Sequence, residues 1–567
     1  MEYSTLAEIY EKLENISSKL AKTDILADLF TKTRVDELQK VVLLVQGTVF
    51  PRYSQYELGV ASQMMIKAIQ KATGFKTEEI ENKFKKTGDL GLVVQDCIES
   101  KKQSVLFKKK LDIDLVFSNL QKLATVTGSG SQEKKLSLIA ELLVSSKPKE
   151  ARYIARTILG ELRVGVAEGI VRDAIVNAFL LKKGMDKEEK NKLTEIVDYS
   201  WNILSDFGEI AKIAKEKGIE GLKKPKVQPG MPIQVMLGLA AESIESVVKQ
   251  FGKVAAEYKY DGARISIHKK NNKFWLFTRR LEDVTNQFPD IIELCKKGLK
   301  AKECIVEGEA LGIDLKTGSP IPFQKLSQRI HRKYDIDYMT KEIPVQVNLF
   351  DVVYLDGKML VDKTFIERRK ILEKIVQPIP KKFQLAKQMI SDDVKKLKQF
   401  YQEALNEKQE GLMLKVLDTP YTFGRHVETM YKIKPIMETL DCVIVGAQCG
   451  EGARAEWLTS YLIAVKDPDT GELLECGMIS TGLTENEYES MTQRLKELIL
   501  EEKGRMITVR PKIIIEVGYQ EIQKSPTYSS GYALRFPRFI RERTMEKLEP
   551  DDIDRLVSLF ESQGKKG

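Results

Sequence analysis

The feature that most constrains this chain is a switch of hydrophobic period. Through residues 1–220 apolar side chains recur at helical spacing, and almost no alternating run interrupts them. SQEKKLSLIAELLVSSKP (131–148) is typical. Leu136, Ile139 and Leu143 share one face with Leu138 and Leu142 beside it, Ser131 stands where an N-cap is expected, and Pro148 follows the end. ARYIARTILGELRVGVAEGIVRDAIVNAFLL (151–181) is a second helical region, broken near Gly160 and Gly165. KKPKVQPGMPIQ (223–234), with three prolines and a glycine, reads as a linker or domain entry. Beyond it the apolar runs are short and alternating or continuous: ARISIHKK, KFWLFTRR, ECIVEGEALGI and PVQVNLFDVVYL, the last closed by Asp356-Gly357. FIERRKILEKIV and SDDVKKLKQFYQEAL are helices among them. From about residue 437, LDCVIVGAQCG, SYLIAVKDPDTGELLECGMIS and PKIIIEVGYQEI form a strand-rich region of roughly 130 residues, the size of a small barrel. Asp467 to Gly471 is a hairpin turn within it.

Composition narrows the class. Apolar residues make up 42% of the 567, enough for packed cores, so wholesale disorder is excluded. No apolar run approaches the ~18–20 residues of a membrane span, and the N-terminal stretch lacks the basic-then-apolar layout of a signal peptide. Six cysteines without a C-x-x-C pair, and only three histidines, exclude a disulfide framework and a structural zinc site. The expectation is a soluble, cytoplasmic chain with reduced thiols. The net charge of +9, from 91 basic and 82 acidic residues, leans toward an anionic partner, though plain solvation accounts for it equally well.

The sharpest local feature is Lys259-Tyr260-Asp261-Gly262-Ala263-Arg264, two residues after Glu257. A lysine on a strand, a turn with a glycine and then an arginine put a primary amine beside a second cation. Alone, the run is equally a strand end with solvated charges. Downstream stand Arg279 in FTRRLEDVT, Glu307 and Glu309 in VEGEA, Phe350 in NLFDVVYLDG, Glu410 in EGLMLK, Lys432 and Lys434 in YKIKP, and finally LRFPRFIRER. In this order and spacing they resemble the motif series of the covalent nucleotidyltransferases: DNA ligases, RNA ligases and mRNA capping enzymes. PGMPIQVMLG, GEGARAEWLTSYLIAV and EVGYQEIQKSPTYSSGYALRFPRF are similar to archaeal-type ATP-dependent DNA ligases in particular, and GELRVGVAEGIVRDAI resembles their helical DNA-binding domain.

The resemblance implies a multidomain α+β fold. Residues 1–225 would be an all-helical DNA-binding domain, 226–436 a central α+β nucleotidyltransferase (adenylation) domain, and 437–567 an OB-fold β-barrel. It implies an enzyme that seals nicks in double-stranded DNA during replication, recombination and repair, with ATP as AMP donor and Mg2+ or Mn2+ as cofactor. Lys259 would be the nucleophile. A neutral amine must attack, and neighbouring cations such as Arg264, Lys432 and Lys434 disfavour the ammonium form. Glu257 would read the adenine edge and Phe350 stack on the base. Arg264 and Arg279 would hold ribose and phosphates. Glu309 would contact the ribose or a metal-bound water, with Glu307 structural, on the reasoning that only one of an alternating pair faces the pocket. Glu410 is the leading metal ligand, with Glu309 the second. Lys432 and Lys434 would reach phosphate from one face of a strand. Arg535, Arg538 and Arg541 would orient pyrophosphate from a third domain that swings over the ATP site.

Two departures stand out. GRHVETMYKIKP replaces the family's glycine-basic-tryptophan stretch, so Arg425 or His426 takes the phosphate-binding arginine's place. Arg425 is favoured, because imidazole does not replace a guanidinium fork. RERTMEKLEPDD displaces the family's terminal lysine, leaving Lys547 out of register. KKQSVLFKKK (101–110) resembles the sliding-clamp-binding loop of archaeal ligases through Gln103, Leu106 and Phe107, and reads equally as a buried turn. The glycines at 128–130 and 160–165 either offer main-chain N–H groups to DNA phosphates or cap helices. The chain is expected to be a monomer associated with the nucleoid. RNA ligases and capping enzymes lack the long helical region, and NAD-dependent ligases carry a cysteine zinc cluster absent here. A non-catalytic DNA-binding scaffold would not need Lys259, Glu410 and the lysine pair intact.

Overall fold

Several helices of the N-terminal region begin or end on identifiable chemistry. Twelve α-helices lie between Tyr3 and Lys223 among the described residues of this computed structural model, which are 1–51, 53–54, 56–100, 110–128, 130–330, 332, 334–435, 438–450, 456–503 and 506–565. Asp89, Asp112, Asp186 and Asp206 each accept a backbone N–H at a helix start. The helix Ser131–Ser145 differs from the sequence reading: Gly130 is its N-cap and Ser131 its first residue. Gly128 and Gly130 both adopt positive φ, at 85° and 77°, so the chain enters the helix one residue earlier through geometry that glycine tolerates. Gly160 resolves toward capping. The N–H of Glu161 donates to the carbonyl of Arg156 at 2.9 Å, and that of Gly160 to Thr157 at 3.2 Å, which is the Schellman closure of the helix Pro148–Ile158.

One buried ion network ties three of these helices together. Arg156 donates to Asp89 at 2.6 Å and to Glu14 at 2.9 Å, and Arg152 and the Tyr153 hydroxyl add bonds of 2.7 and 2.9 Å to Glu14. Burial works against both carboxylates, yet the Arg156 guanidinium keeps each below its ordinary range.

The proline-rich linker is laid down rather than free. Gly230, at φ 101°, donates its N–H to His268 Nδ1 at 3.2 Å, and a Cβ there would meet the Trp275 ring at 3.1 Å. Only a glycine lets this backbone lie against the indole.

Twenty strands follow among the described residues. They are β1 (Met236–Ala240), β2 (Val254–Lys259), β3 (Ala263–Lys270), β4 (Lys273–Thr278), β5 (Glu303–Gly312), β6 (Val345–Leu355), β7 (Lys358–Met359), β8 (Phe383–Leu385), β9 (Gln388–Ser391), β10 (Gly411–Val416) and β11 (Gly424–Ile433). Then come β12 (Leu440–Cys449), β13 (Leu458–Lys466), β14 (Leu473–Ile479), β15 (Ile499–Lys503), β16 (Met506–Val509), β17 (Ile514–Gly518), β18 (Glu521–Lys524), β19 (Tyr532–Arg535) and β20 (Arg538–Glu542). Two sheets form the central region. One runs β1-β11-β10-β2-β9; the other runs β4-β3-β5-β6-β7, with β8 parallel to β6. Asp356 and Gly357 both take positive φ and close the β6–β7 hairpin as their sequence implied. In the C-terminal region the long β12 is shared: Leu440–Val443 pair with β17 and Gly446–Gln448 with β16, while β13 runs along its other edge. A strand that changes partners along its length is how a short sheet curls toward a barrel.

The chain divides into two compact units. One comprises Met1–Ala241, Glu245–Asp392 and Met413–Tyr431; the other comprises Glu242–Ile244, Asp393–Leu412 and Lys432–Gly567. Within the first, helices and sheets share one apolar core, in which Ile233, Met236, Ile305, Val353, Tyr421 and Met430 join the helical residues. Among the described residues no helix is long and apolar enough to cross a membrane.

Candidate active site

β2 delivers the lysine. Val254 to Ala256 are buried, and Glu257 and Lys259, two apart, share a face, with Lys259 half-buried at the strand's end. The turn after it runs against β5. A Cβ on Gly262 would lie 2.4 Å from the carbonyl oxygen of Ala310 and 3.0 Å from Glu309 Cγ, so this position excludes any larger residue. The D-G of the motif is therefore a packing requirement that seats β3 directly beside β5.

Glu257 is a buried hub, 2% exposed. Its carboxylate lies 2.6 Å from Lys415 Nζ and 3.3 Å from Arg369, and accepts from Gln388 Nε2 at 2.9 Å. Lys415 also sits 4.7 Å from the centroid of the Phe350 ring, while the Arg264 guanidinium approaches that ring at 5.2 Å. A half-buried aromatic on β6 is thus approached by one cation from β10 and another from β3. Such a setting favours a flat, electron-rich ring system carrying anionic groups.

Arg264 is held by two bonds, to Glu307 Oε2 at 2.6 Å and to the Met236 carbonyl at 2.7 Å. Burial alone would weaken its charge, but Glu307, with Tyr421 and Glu309 behind it, keeps the guanidinium firmly protonated. The reasoning that separated Glu307 from Glu309 by face is corrected here. Residues two apart on a strand point the same way; opposite β3, Glu309 pairs with Arg264 and Glu307 with Ser266. Depth separates them: Glu307 is fully buried beneath Arg264, whereas Glu309 is partly exposed. Arg279 is exposed in the turn after β4.

Glu410, Lys432, Lys434, Arg535, Arg538, Arg541 and Lys547 lie in the second unit. Glu410 pairs with Lys434 at 2.5 Å, and Lys434 stands just past the end of β11 while Lys432 lies within it. Gly411 carries φ 138°, and a Cβ there would be 2.1 Å from the Ile433 carbonyl, so this glycine is what brings Glu410 beside Lys434. Arg535 reaches Glu521 at 3.5 Å, and Arg538 is exposed on β20. Arg541 is paired with Glu516 at 2.7 Å, and Lys547 with Asp441 at 2.6 Å and Asp551 at 2.9 Å. The side chains of Arg425 and His426, and all of Gln103, Leu106 and Phe107, lie outside the described residues.

Lys415, Arg369, Gln388 and Tyr421 contact these residues and motif reading did not assign them, while Glu307 had been given only a structural part. Lys415 had a signal: it closes EGLMLK, the one charge in the otherwise apolar run of β10. Arg369 and Gln388 had none, because their proximity to Glu257 is purely tertiary. Among the described residues no group of three His, Cys, Asp or Glu side chains comes together.

Glu257 and the lysine that ends β2, and the Phe350 ring approached by Lys415 and Arg264, all fall within one stretch that matches an ATP-dependent ligase domain. The ATP dependent DNA ligase domain family matches residues 235–434, the DNA ligase N terminus family residues 2–176, and the ATP dependent DNA ligase C terminal region family residues 454–546. The chain belongs to the ATP-dependent DNA ligases of the archaeal type. It is 46% identical to a DNA ligase of Nanoarchaeum equitans across 99% of both chains, and 42% identical to one of Thermococcus onnurineus across 99% of this chain and 98% of that one. A solved structure titled "Pmar-Lig_PreS3" covers 95% of this chain and 99% of its own at a TM-score of 0.53 and 17% identity, a likeness of fold.

Proposed function

We propose that this chain seals nicks in double-stranded DNA with ATP, through an AMP carried on Lys259. The observation that carries the reading is the Phe350 ring approached by Lys415, on β10 beside the lysine-bearing β2, and by Arg264 on β3, which follows β2 in the chain. In the first step Lys259 Nζ attacks the α-phosphorus of ATP, a phosphoramide bond forms, and pyrophosphate leaves. The 5′-phosphate of the nick then attacks that phosphorus, regenerating the amine and giving a DNA-adenylate. Finally the 3′-hydroxyl attacks the activated phosphate, a phosphodiester forms and AMP departs. Each step is a displacement at phosphorus, where positioning and charge stabilisation do most of the work.

The residues divide this work. Glu257 accepts from the adenine edge and Phe350 stacks on the base. Arg264 and Arg279 hold ribose and phosphates. Arg425, Lys432 and Lys434 neutralise phosphate charge, and Arg535 and Arg538 orient pyrophosphate. Glu410 and Glu309 would hold Mg2+ or Mn2+, which would supply further neutralisation of the triphosphate. Residues 1–225, 226–436 and 437–567 serve as DNA-binding, adenylation and OB domains, in line with the three family matches. Basic side chains contact the DNA backbone without regard to sequence, so binding weakens steeply with salt. The protein acts as a cytoplasmic monomer, and Gln103, Leu106 and Phe107 serve a sliding clamp.

Incubation with labelled ATP, GTP or NAD followed by denaturing electrophoresis tests the reading. A covalent adenylate from ATP, absent in Lys259→Ala, is expected. Label from GTP alone would transfer the chain to the capping enzymes.

A further inference from the structure

We infer that Tyr421 is a positioning residue for Arg264, acting through Glu307. The four groups close a ring of hydrogen bonds. Arg264 donates to the Met236 carbonyl at 2.7 Å, and the Met236 N–H donates to the Tyr421 hydroxyl at 2.9 Å. That hydroxyl donates to the Glu307 carboxylate, whose two oxygens both lie 3.0 Å away, and Glu307 accepts from Arg264 at 2.6 Å. Glu307 is fully buried and Tyr421 is 5% exposed, so no water competes for these bonds. Burial, with Glu307 adding to it, pushes the phenol well above its ordinary range, so the hydroxyl remains a donor throughout the working pH.

The ring does two things. It cancels the charge of a carboxylate that would otherwise pull Arg264 into any of several rotamers, and it fixes the guanidinium against Phe350. It also leaves a donor unspent: Arg264 Nε is buried with no acceptor among the described residues. A guanidinium has five N–H groups, and one held this rigidly presents the remainder in a fixed fork, the geometry phosphate oxygens require. Because Met236 opens β1 directly after the linker, the same ring ties Arg264 to the point where the helical region joins the sheets. An aromatic path extends it: Tyr421 packs edge-on to Phe423 at 5.3 Å, and Phe423 on Tyr199 of the helix Lys187–Leu204 at 6.2 Å.

The inference rests on the reading that Arg264 contacts the nucleotide, and the test separates the two. Transfer of labelled AMP from ATP to the full-length protein is measured against ATP concentration for Arg264→Ala, Tyr421→Phe, Glu307→Gln and the double variant Arg264→Ala/Tyr421→Phe, with thermal midpoints taken in parallel. Tyr421→Phe and Glu307→Gln should each raise the KM for ATP about tenfold, the equivalent of one lost hydrogen bond to a charged group, with kcat changed less. On the Arg264→Ala background Tyr421→Phe should cost nothing further, since its effect passes through that arginine. If Arg264→Ala leaves KM unchanged, the nucleotide role of Arg264 fails. If Arg264→Ala raises KM but Tyr421→Phe does not, or the two effects multiply, the positioning role of Tyr421 is overturned. Should Tyr421→Phe or Glu307→Gln lower the thermal midpoint markedly, KM is compared at a temperature where every variant remains folded, and an unchanged KM for Tyr421→Phe there overturns the positioning role.

Discussion

The ammonium of Lys415 lies 2.6 Å from the carboxylate of Glu257, both side chains being more than nine-tenths buried. A buried pair is costly to break by one partner, because the survivor keeps its desolvation penalty without its counter-charge. Lys415→Met should therefore destabilise the protein by about 3 kcal/mol. The double variant Glu257→Gln/Lys415→Met should be more stable than Lys415→Met alone. Denaturant titration of the two variants checks this, and equal midpoints would show that Arg369 alone satisfies Glu257.

Gly262 makes a sharper claim about the catalytic turn. Its absent Cβ would stand 2.4 Å from the Ala310 carbonyl, so Gly262→Ala must push β3 and β5 apart or tilt the turn that follows Lys259. A strain of roughly 1–3 kcal/mol at this point displaces Lys259, the proposed nucleophile. The expected result is at least a tenfold loss of covalent AMP formation, read by labelled ATP, from a protein that still folds. Undiminished labelling would mean the turn yields freely.

His268 supplies a pH dependence with a defined sign. It is completely buried, and burial pushes its pKa down to about 3. The unfolded chain takes up this proton near the ordinary ~6.5 while the folded chain does not. Between those values the unfolded state binds more protons, so stability is full above about pH 6.5 and falls as pH is lowered, at up to about 1.4 kcal/mol per pH unit. His268→Gln should remove that slope between pH 6 and 4.5. Unfolding free energies across this range decide it; a wild-type curve flat there would show that the imidazole becomes protonated in place.

Arg156 should matter most to the helical region. Its removal strands Glu14 and Asp89, and Arg156→Met should cost about 3–5 kcal/mol. Both carboxylates titrate below their ordinary range in the folded protein, so their contribution is present above about pH 4 and is lost as pH falls through the lowered values. The variant should lose less stability than wild type on acidification below pH 4. Parallel acid titrations followed by circular dichroism measure the difference.

The sequence by itself determined the order of elements and the chemistry on offer. The change of period near residue 225, the Asp356-Gly357 hairpin and the helix around 365–375 are local matters, set by neighbours within one or two turns of chain. The motif lysine and Phe350 were legible for the same reason: each sits in a short run whose residue types and spacing carry meaning on their own. Tertiary structure alone decided which charges meet. Arg369, on the helix Phe365–Ile375, reaches Glu257 across 112 positions, and Tyr421, between β10 and β11, reaches Glu307 across 114; no periodicity encodes contacts between segments so far apart in the chain. It also decided depth. Glu307 and Glu309 share a strand face and look alike in VEGEA, yet one is sealed beneath Arg264 and the other is open, because burial depends on what the rest of the chain lays over a residue.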